Sequence, residues 1–186
     1  MGYTVAYLGL PGSFSYEATK KYFKNECNFI SKRSFKEIFE AISEGTYDYG
    51  IVPIENTTIG KIKPVNNLIK QFSVEIYDQI EIRVNLHLLV KANKKITKIK
   101  KIYSQDQAFA QCSGFLKQNP EIEQRVVSDT ACAAELISQT NRANAAAIAG
   151  SLAAKIYKLE ILKKNVQNKK NNQTTFIIVK RKTYGT

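Results

Sequence analysis

Ser34 precedes Glu37 by one helical turn, and Phe35, Ile38, Phe39 and Ile42 then recur at helical spacing up to Gly45. That is a capped helix with a single apolar stripe. Just beyond it, Tyr49–Val52 is a short apolar run of strand length. The same alternation organises the rest of the chain. Val5–Leu8, Phe29–Ile30, Val74–Tyr77, Ile82–Val90 and Lys100–Tyr103 read as strands, as do Arg125–Val127, Ala145–Ile148, Ile161–Leu162 and Thr175–Val179. Helices are expected from Ser13 or Ser15 through Tyr22, around Val65–Ile69, and from Ser104 to Leu116. Two more are expected over Thr130–Ser138, capped by Asp129, and from Gly150–Ser151 through Tyr157. Helices between short apolar strands argue for mainly parallel sheets and an α/β architecture. With 186 residues the chain can form one domain or two small lobes.

Several classes of function fall away on composition. No apolar run approaches the roughly 20 residues that span a bilayer, and no basic head with an apolar stretch marks a secretory signal. Cys27, Cys112 and Cys132 have no metal-type spacing, so reduced thiols and a cytoplasmic setting are expected. The net charge is +12, and residues 161–186 hold 7 Lys or Arg and no acid. The lysines at 94, 95, 98, 100 and 101 surround Ile96, Ile99 and Ile102 without aromatic residues for base stacking. A nucleic-acid partner is therefore not expected, and the basic excess suits solubility or attraction of an anionic substrate.

The polar clusters all stand at the ends of apolar runs. After Val52 and Pro53 come Glu55, Asn56, Thr57 and Thr58, then Gly60. The region past the carboxyl end of a strand is where open α/β sheets bind ligands. Ser104, Gln107 and Gln111 share a helical face on this reading, Ser128–Thr130 opens the next helix, and Asn172–Phe176 leads into the last strand. Ordinary capping and turn formation use the same residue types. The single histidine, His87, lies in an apolar run and reads as structural. With no Ser-His-Asp set, metal cluster or phosphate loop, chemistry would rest on hydroxyls, amides and the Glu55 carboxylate.

Together these segments resemble the catalytic domain of prephenate dehydratases. Tyr7–Ser15 is similar to the family's Tyr-Leu-Gly-Pro-x-Gly-Thr/Ser-Phe-Ser, and Val52–Gly60 to Val-Pro-Ile-Glu-Asn-Ser-x-x-Gly, with Thr57 for Ser. Ser104–Cys112 is similar to Ser-His-Pro-Gln-Ala-x-x-Gln-Cys, with Gln105 and Asp106 replacing His-Pro. Asp129–Ala134 matches Ser-Thr-Ala-x-Ala-Ala with Asp for Ser, and Asn172–Phe176 matches Asn-x-Thr-Arg-Phe with Thr175 where arginine belongs. Ala146–Ile148 and Tyr157–Leu159 add two shorter matches.

The resemblance implies two α/β lobes with mainly parallel sheets, a type II periplasmic-binding-protein-like fold, and a cleft between the lobes. The first lobe would comprise 1–75 and 163–186, the second 76–162, with Lys163–Asn172 as connection or crossover. It implies conversion of prephenate, a dianion, to phenylpyruvate with loss of carbon dioxide and water. No cofactor and no metal are implied, because aromatisation drives the reaction. Thr174 would assist the leaving hydroxyl. Asn56, Thr57, Ser104, Gln111 and Thr130 would position the substrate, with Thr175 and Phe176 beside it and Glu55 holding the polar network. A homodimer is also implied, and no ACT regulatory domain is expected within these residues. Other readings are arogenate dehydration, decarboxylation of prephenate without aromatisation, and a non-catalytic module that binds a small anion.

Overall fold

The computed structural model describes residues 2–24, 27–91, 99–141 and 144–183; Lys94, Lys95, Ile96 and Lys98 of the basic stretch lie outside them. In chain order the elements begin β1 (Thr4–Leu8), α1 (Phe14–Phe23), β2 (Asn28–Lys32), α2 (Phe35–Glu44), β3 (Tyr49–Asn56), β4 (Gly60–Lys61), α3 (Lys63–Gln71) and β5 (Val74–Arg83). They continue with β6 (His87–Lys91), β7 (Lys101–Ser104), α4 (Asp106–Gln111), α5 (Ser113–Lys117) and β8 (Glu123–Val126). The last are α6 (Thr130–Gln139), β9 (Ala145–Ala149), α7 (Ser151–Ile156), β10 (Leu159–Lys163) and β11 (Gln173–Arg181). The chain divides into one unit of Met1–Gly9, Phe14–Arg83 and Asn172–Thr186, and a second of Leu10–Ser13 and Val84–Asn171. The boundary expected at 75/76 falls inside β5, which pairs with β11 along its length.

The first unit is a mixed sheet in the order β2-β1-β3-β11-β5, with β4 attached to β3. β2, β1 and β3 run parallel, whereas β11 is antiparallel to both β3 and β5. Both faces are covered, so consecutive residues of its inner strands are apolar. Ala6, Val52, Ile177 and Val179 pack with Ile38, Phe39 and Ile42 of α2 and Val65 of α3. Tyr7, Ile51, Phe176 and Ile178 pack on the other side with Ala18 of α1. α2 can lie close because Gly50 has no side chain: a Cβ there would meet Ile38 Cγ2 at 2.7 Å and Val179 Cγ2 at 3.0 Å.

The second unit is a five-stranded sheet in the order β10-β6-β9-β7-β8. β9, β7 and β8 are parallel, and β6 is antiparallel to β9 and β10. β9 is alanine-rich and wholly buried. Ala145, Ala147 and Ala149 present small side chains to Ala133 and Ala134 of α6 and Ala153 and Ala154 of α7. The positive φ of Gly12 (96°) and its lack of a Cβ let the loop after β1 approach Ala153, whose Cα would be 3.0 Å from such an atom.

Two expected elements differ. Val74–Arg83 is one ten-residue strand rather than parts of two. Its middle reads as polar because β5 is an edge strand and exposes Asp78, Gln79 and Glu81. The helix expected over Ser104–Leu116 is two short helices broken at Cys112 (φ −108°, ψ 16°), and Ser104 ends a strand instead of starting a helix.

Candidate functional site

The strand that begins at Tyr49 does not stop at Pro53 but runs on to Asn56. Val52 stands opposite Ile177 and Pro53 opposite Phe176, and the next pair is Glu55 with Thr175, so Ile54 is an extra residue on β3. Proline cannot donate to the ladder, and such irregularities are where a sheet tolerates it. A one-residue slip sends every later side chain to the opposite face. Without it Asn56 would face the α2 side with Val52. With it, Asn56 stands opposite Thr174, on the face that carries Phe176 and Ile178.

Asn56 is the hub of a buried polar cluster. Its Nδ2 shares two hydrogens among three acceptors, Thr174 Oγ1 at 2.8 Å, the Gln173 carbonyl at 2.9 Å and Asn172 Oδ1 at 2.9 Å. Its Oδ1 accepts the backbone N–H groups of Thr58 at 2.8 Å and Ile59 at 3.2 Å. Backbone N–H only donates and backbone carbonyl only accepts, so these partners fix the amide's orientation. Thr57 closes the strand ends, its N–H donating to the Gln173 carbonyl at 2.9 Å and its Oγ1 accepting the Gln173 N–H at 3.0 Å. Asn172, almost wholly buried, joins through Thr58 Oγ1 at 3.3 Å. The sequence reading missed Asn172 as a site residue, although it opens the Asn172–Phe176 segment.

The neighbours of these residues fall elsewhere. Glu55 is exposed, and the network assigned to it is built by Asn56. Thr175 lies opposite Glu55 on β3 and Glu81 on β5, on the face away from Thr174. Phe176 is 2% exposed and packs in the core among Tyr7, Ala18, Ile51, Ile82 and Ile178. Strand alternation is the reason: in Thr174-Thr175-Phe176 the outer two share a face, and that face is covered two residues further into the sheet.

The remaining candidates belong to the second unit. Ser104 is fully buried, and its Oγ donates to the Ile148 carbonyl on β9 at 2.7 Å. Gln111 is a buried residue that ends α4, whereas Gln107 is exposed, so the polar stripe expected through Ser104, Gln107 and Gln111 does not form. Thr130 is buried at the start of α6, where Asp129 Oδ1 accepts the N–H groups of Ala131 at 2.8 Å and Cys132 at 2.9 Å. A crevice of about 370 Å³ beside Leu88, Phe115, Ile122 and Leu162 contains none of these residues.

Among the described residues no group of three or more His, Cys, Asp or Glu is placed to hold a metal. Burial pushes the Cys112 thiol up to about 12, which leaves it unreactive at neutral pH. His87 is buried at the start of β6, and its Nδ1 accepts the Asn165 N–H at 3.0 Å, a structural bond.

The sequence profile of the prephenate dehydratase family matches residues 5–184. A bifunctional chorismate mutase/prephenate dehydratase of Buchnera aphidicola subsp. Acyrthosiphon pisum is 38% identical over 184 residues, covering 95% of this chain and 46% of that one. The chain thus spans about half the length of the curated relatives it matches. Among solved structures, the prephenate dehydratase of Staphylococcus aureus subsp. aureus Mu50 has a TM-score of 0.81 at 28% identity, over 97% of this chain and 67% of that one. GqqA, described as a novel type of quorum-quenching acylase, has a TM-score of 0.83 at 26% identity, over 98% and 65%. A nutrient-binding protein from Burkholderia cenocepacia, bound to methionine, shares the fold alone, with a TM-score of 0.50 at 12% identity over 96% and 84%.

Proposed function

Because the chain belongs to the prephenate dehydratase family, we propose that it converts prephenate to phenylpyruvate, a step toward phenylalanine. The observation that carries this reading is the hydrogen bond from Asn56 Nδ2 to Thr174 Oγ1. With its oxygen accepting from Asn56, the Thr174 hydroxyl keeps its own hydrogen to donate. That hydrogen is offered to the ring hydroxyl of the substrate. As the carboxylate carbon–carbon bond breaks, its electron pair moves into the ring and expels the hydroxyl. One proton is consumed overall, and the products are carbon dioxide, water and phenylpyruvate. A positioned donor of this kind typically contributes about 10²–10³-fold.

Ser104, Gln111 and Thr130 are assigned to substrate binding, and Thr57 to holding the two strand ends in register. The Ser104 hydrogen is committed to Ile148, so it would act as an acceptor or as a structural anchor. Thr175, which faces away from Thr174, is assigned to the sheet rather than to the substrate. Reduced Cys27, Cys112 and Cys132 support a cytoplasmic location, and a homodimer is part of the same reading. No helix among the described residues is long and apolar enough to cross a membrane.

The test is to supply prephenate and arogenate separately and identify the products. Phenylpyruvate from prephenate supports the proposal. Phenylalanine from arogenate alone would reassign the substrate, and a non-aromatic decarboxylated product would reassign the reaction. Binding without turnover would make the chain a small-anion-binding module.

A further inference from the structure

The segment between β10 and β11 reads in sequence as a Lys- and Asn-rich connection, yet it is bonded at two places within the second unit. At one end, Asn165 N–H donates to His87 Nδ1 at 3.0 Å and Val166 N–H to the Leu86 carbonyl at 2.8 Å. Gln167 Oε1 accepts the Leu86 N–H at 3.0 Å, and the Val166 side chain is buried. At the other end is Asn168. Its backbone N–H donates to the Gln111 carbonyl at 2.7 Å. Its Oδ1 accepts the Gly114 N–H at 2.8 Å, and its Nδ2 donates to Ser113 Oγ at 2.9 Å and the Ala110 carbonyl at 3.4 Å.

These bonds meet the needs of a broken helix. At the Cys112 break the cap N–H serves the Ala108, Phe109 and Ala110 carbonyls, while the Gln111 carbonyl and the Gly114 N–H are met by Asn168 from outside both helices. Asn168 supplies an acceptor to one end and donors to the other. Gly114 permits the approach: a Cβ there would lie 3.0 Å from Asn168 Oδ1. Gln111 is the residue immediately before the break, and its own carbonyl is among the groups held.

We propose that Asn168 is a positioning residue that fixes the α4–α5 break and thereby the placement of Gln111. The functional part rests on the reading that Gln111 binds substrate. Removing the Asn168 side chain takes away one good acceptor and two donors, while the backbone bond to Gln111 remains but is no longer braced. Asn168→Asp keeps the Oδ1 acceptor for Gly114 and can accept from the Ser113 hydroxyl.

The test is steady-state kinetics on prephenate for Gln111→Ala, Asn168→Ala, Asn168→Asp and the Gln111→Ala/Asn168→Ala double variant. Asn168→Ala is expected to raise KM about 3- to 10-fold, the equivalent of one hydrogen bond, with a smaller change in kcat. The double variant should be no worse than Gln111→Ala alone, and Asn168→Asp should recover most of the loss. Multiplicative effects in the double variant, or an unchanged KM in Asn168→Ala beside a raised one in Gln111→Ala, would overturn the proposal. If Gln111→Ala itself leaves KM unchanged, the substrate reading of Gln111 fails, and amide exchange then decides the positioning role. Asn168→Ala should speed exchange across 106–117 while leaving α6 protected, and equal exchange in both proteins would overturn it.

Discussion

Asn56 on β3 and Thr174 on β11 are joined by a 2.8 Å hydrogen bond that depends on a one-residue slip at Ile54. The two residues are 118 apart in sequence. The bond leaves the Thr174 hydrogen available, and Asn56 is in turn fixed by donors and acceptors of unambiguous type. The cluster is therefore preorganised by the sheet rather than by a mobile loop.

Asn56→Asp replaces an amide donor by a carboxylate facing the oxygens of Asn172, Gln173 and Thr174. A buried group left unsatisfied costs about 1–3 kcal/mol. Urea unfolding should show a loss of at least that size, larger than for Asn56→Ala, where repulsion is absent. An Asp variant as stable as the parent would mean the cluster is solvated.

Thr175→Arg restores the residue usual in the family. Between Glu55 and Glu81 on adjacent strands, an arginine would gain opposite-charge cross-strand neighbours, each pair giving about 0.2–1 kcal/mol. A higher thermal midpoint with little change in kcat is expected. A large gain in kcat/KM without added stability would instead place residue 175 against the substrate.

Burial, and then the Lys164 ammonium, holds the His87 imidazole below its usual value. The unfolded chain therefore takes up a proton before the folded one does. Stability contributed by neutral His87 is complete above about pH 6.5, the unfolded value, and is lost as pH falls through it toward the lower folded value. Urea titrations at about pH 7.5 and 5.5 should show the decline, and His87→Asn should flatten it. An unchanged slope in the variant would assign it to other groups.

Asp129→Ala removes the acceptor for two N–H groups of α6, costing about 1 kcal/mol. Asp129→Ser, the residue usual in the family, should retain most of that stability in chemical denaturation. A serine variant as weak as alanine would show that the charge, and not the cap bond, matters.

Local signals were legible and non-local ones were not. Ser34 Oγ accepts the Glu37 N–H at 3.2 Å and Gly45 ends α2 at φ 78°, as the spacing of those residues requires. The Asp129 cap was likewise legible from residue type, whereas the resemblance named Asn56 and Thr174 without pairing their strands. The strand through Pro53 was not, because the slip at Ile54 is set by β11, which lies far along the chain. The exposure of Glu55 and the burial of Phe176 were not legible for the same reason: only the register decides which faces meet the core, the polar cluster or water. The break at Cys112 is bridged by hydrogen bonds to Asn168, which no window of α4 and α5 contains.

The most direct measurement is prephenate turnover by the parent protein, Thr174→Ser and Thr174→Val, with phenylpyruvate as the readout. Valine keeps the β-branched shape but has no hydroxyl. Turnover is expected in the parent, partial turnover in the serine variant, and a kcat reduced by about 10²–10³-fold in the valine variant with folding intact. Equal turnover in the parent and Thr174→Val, or none in the parent, would contradict that expectation.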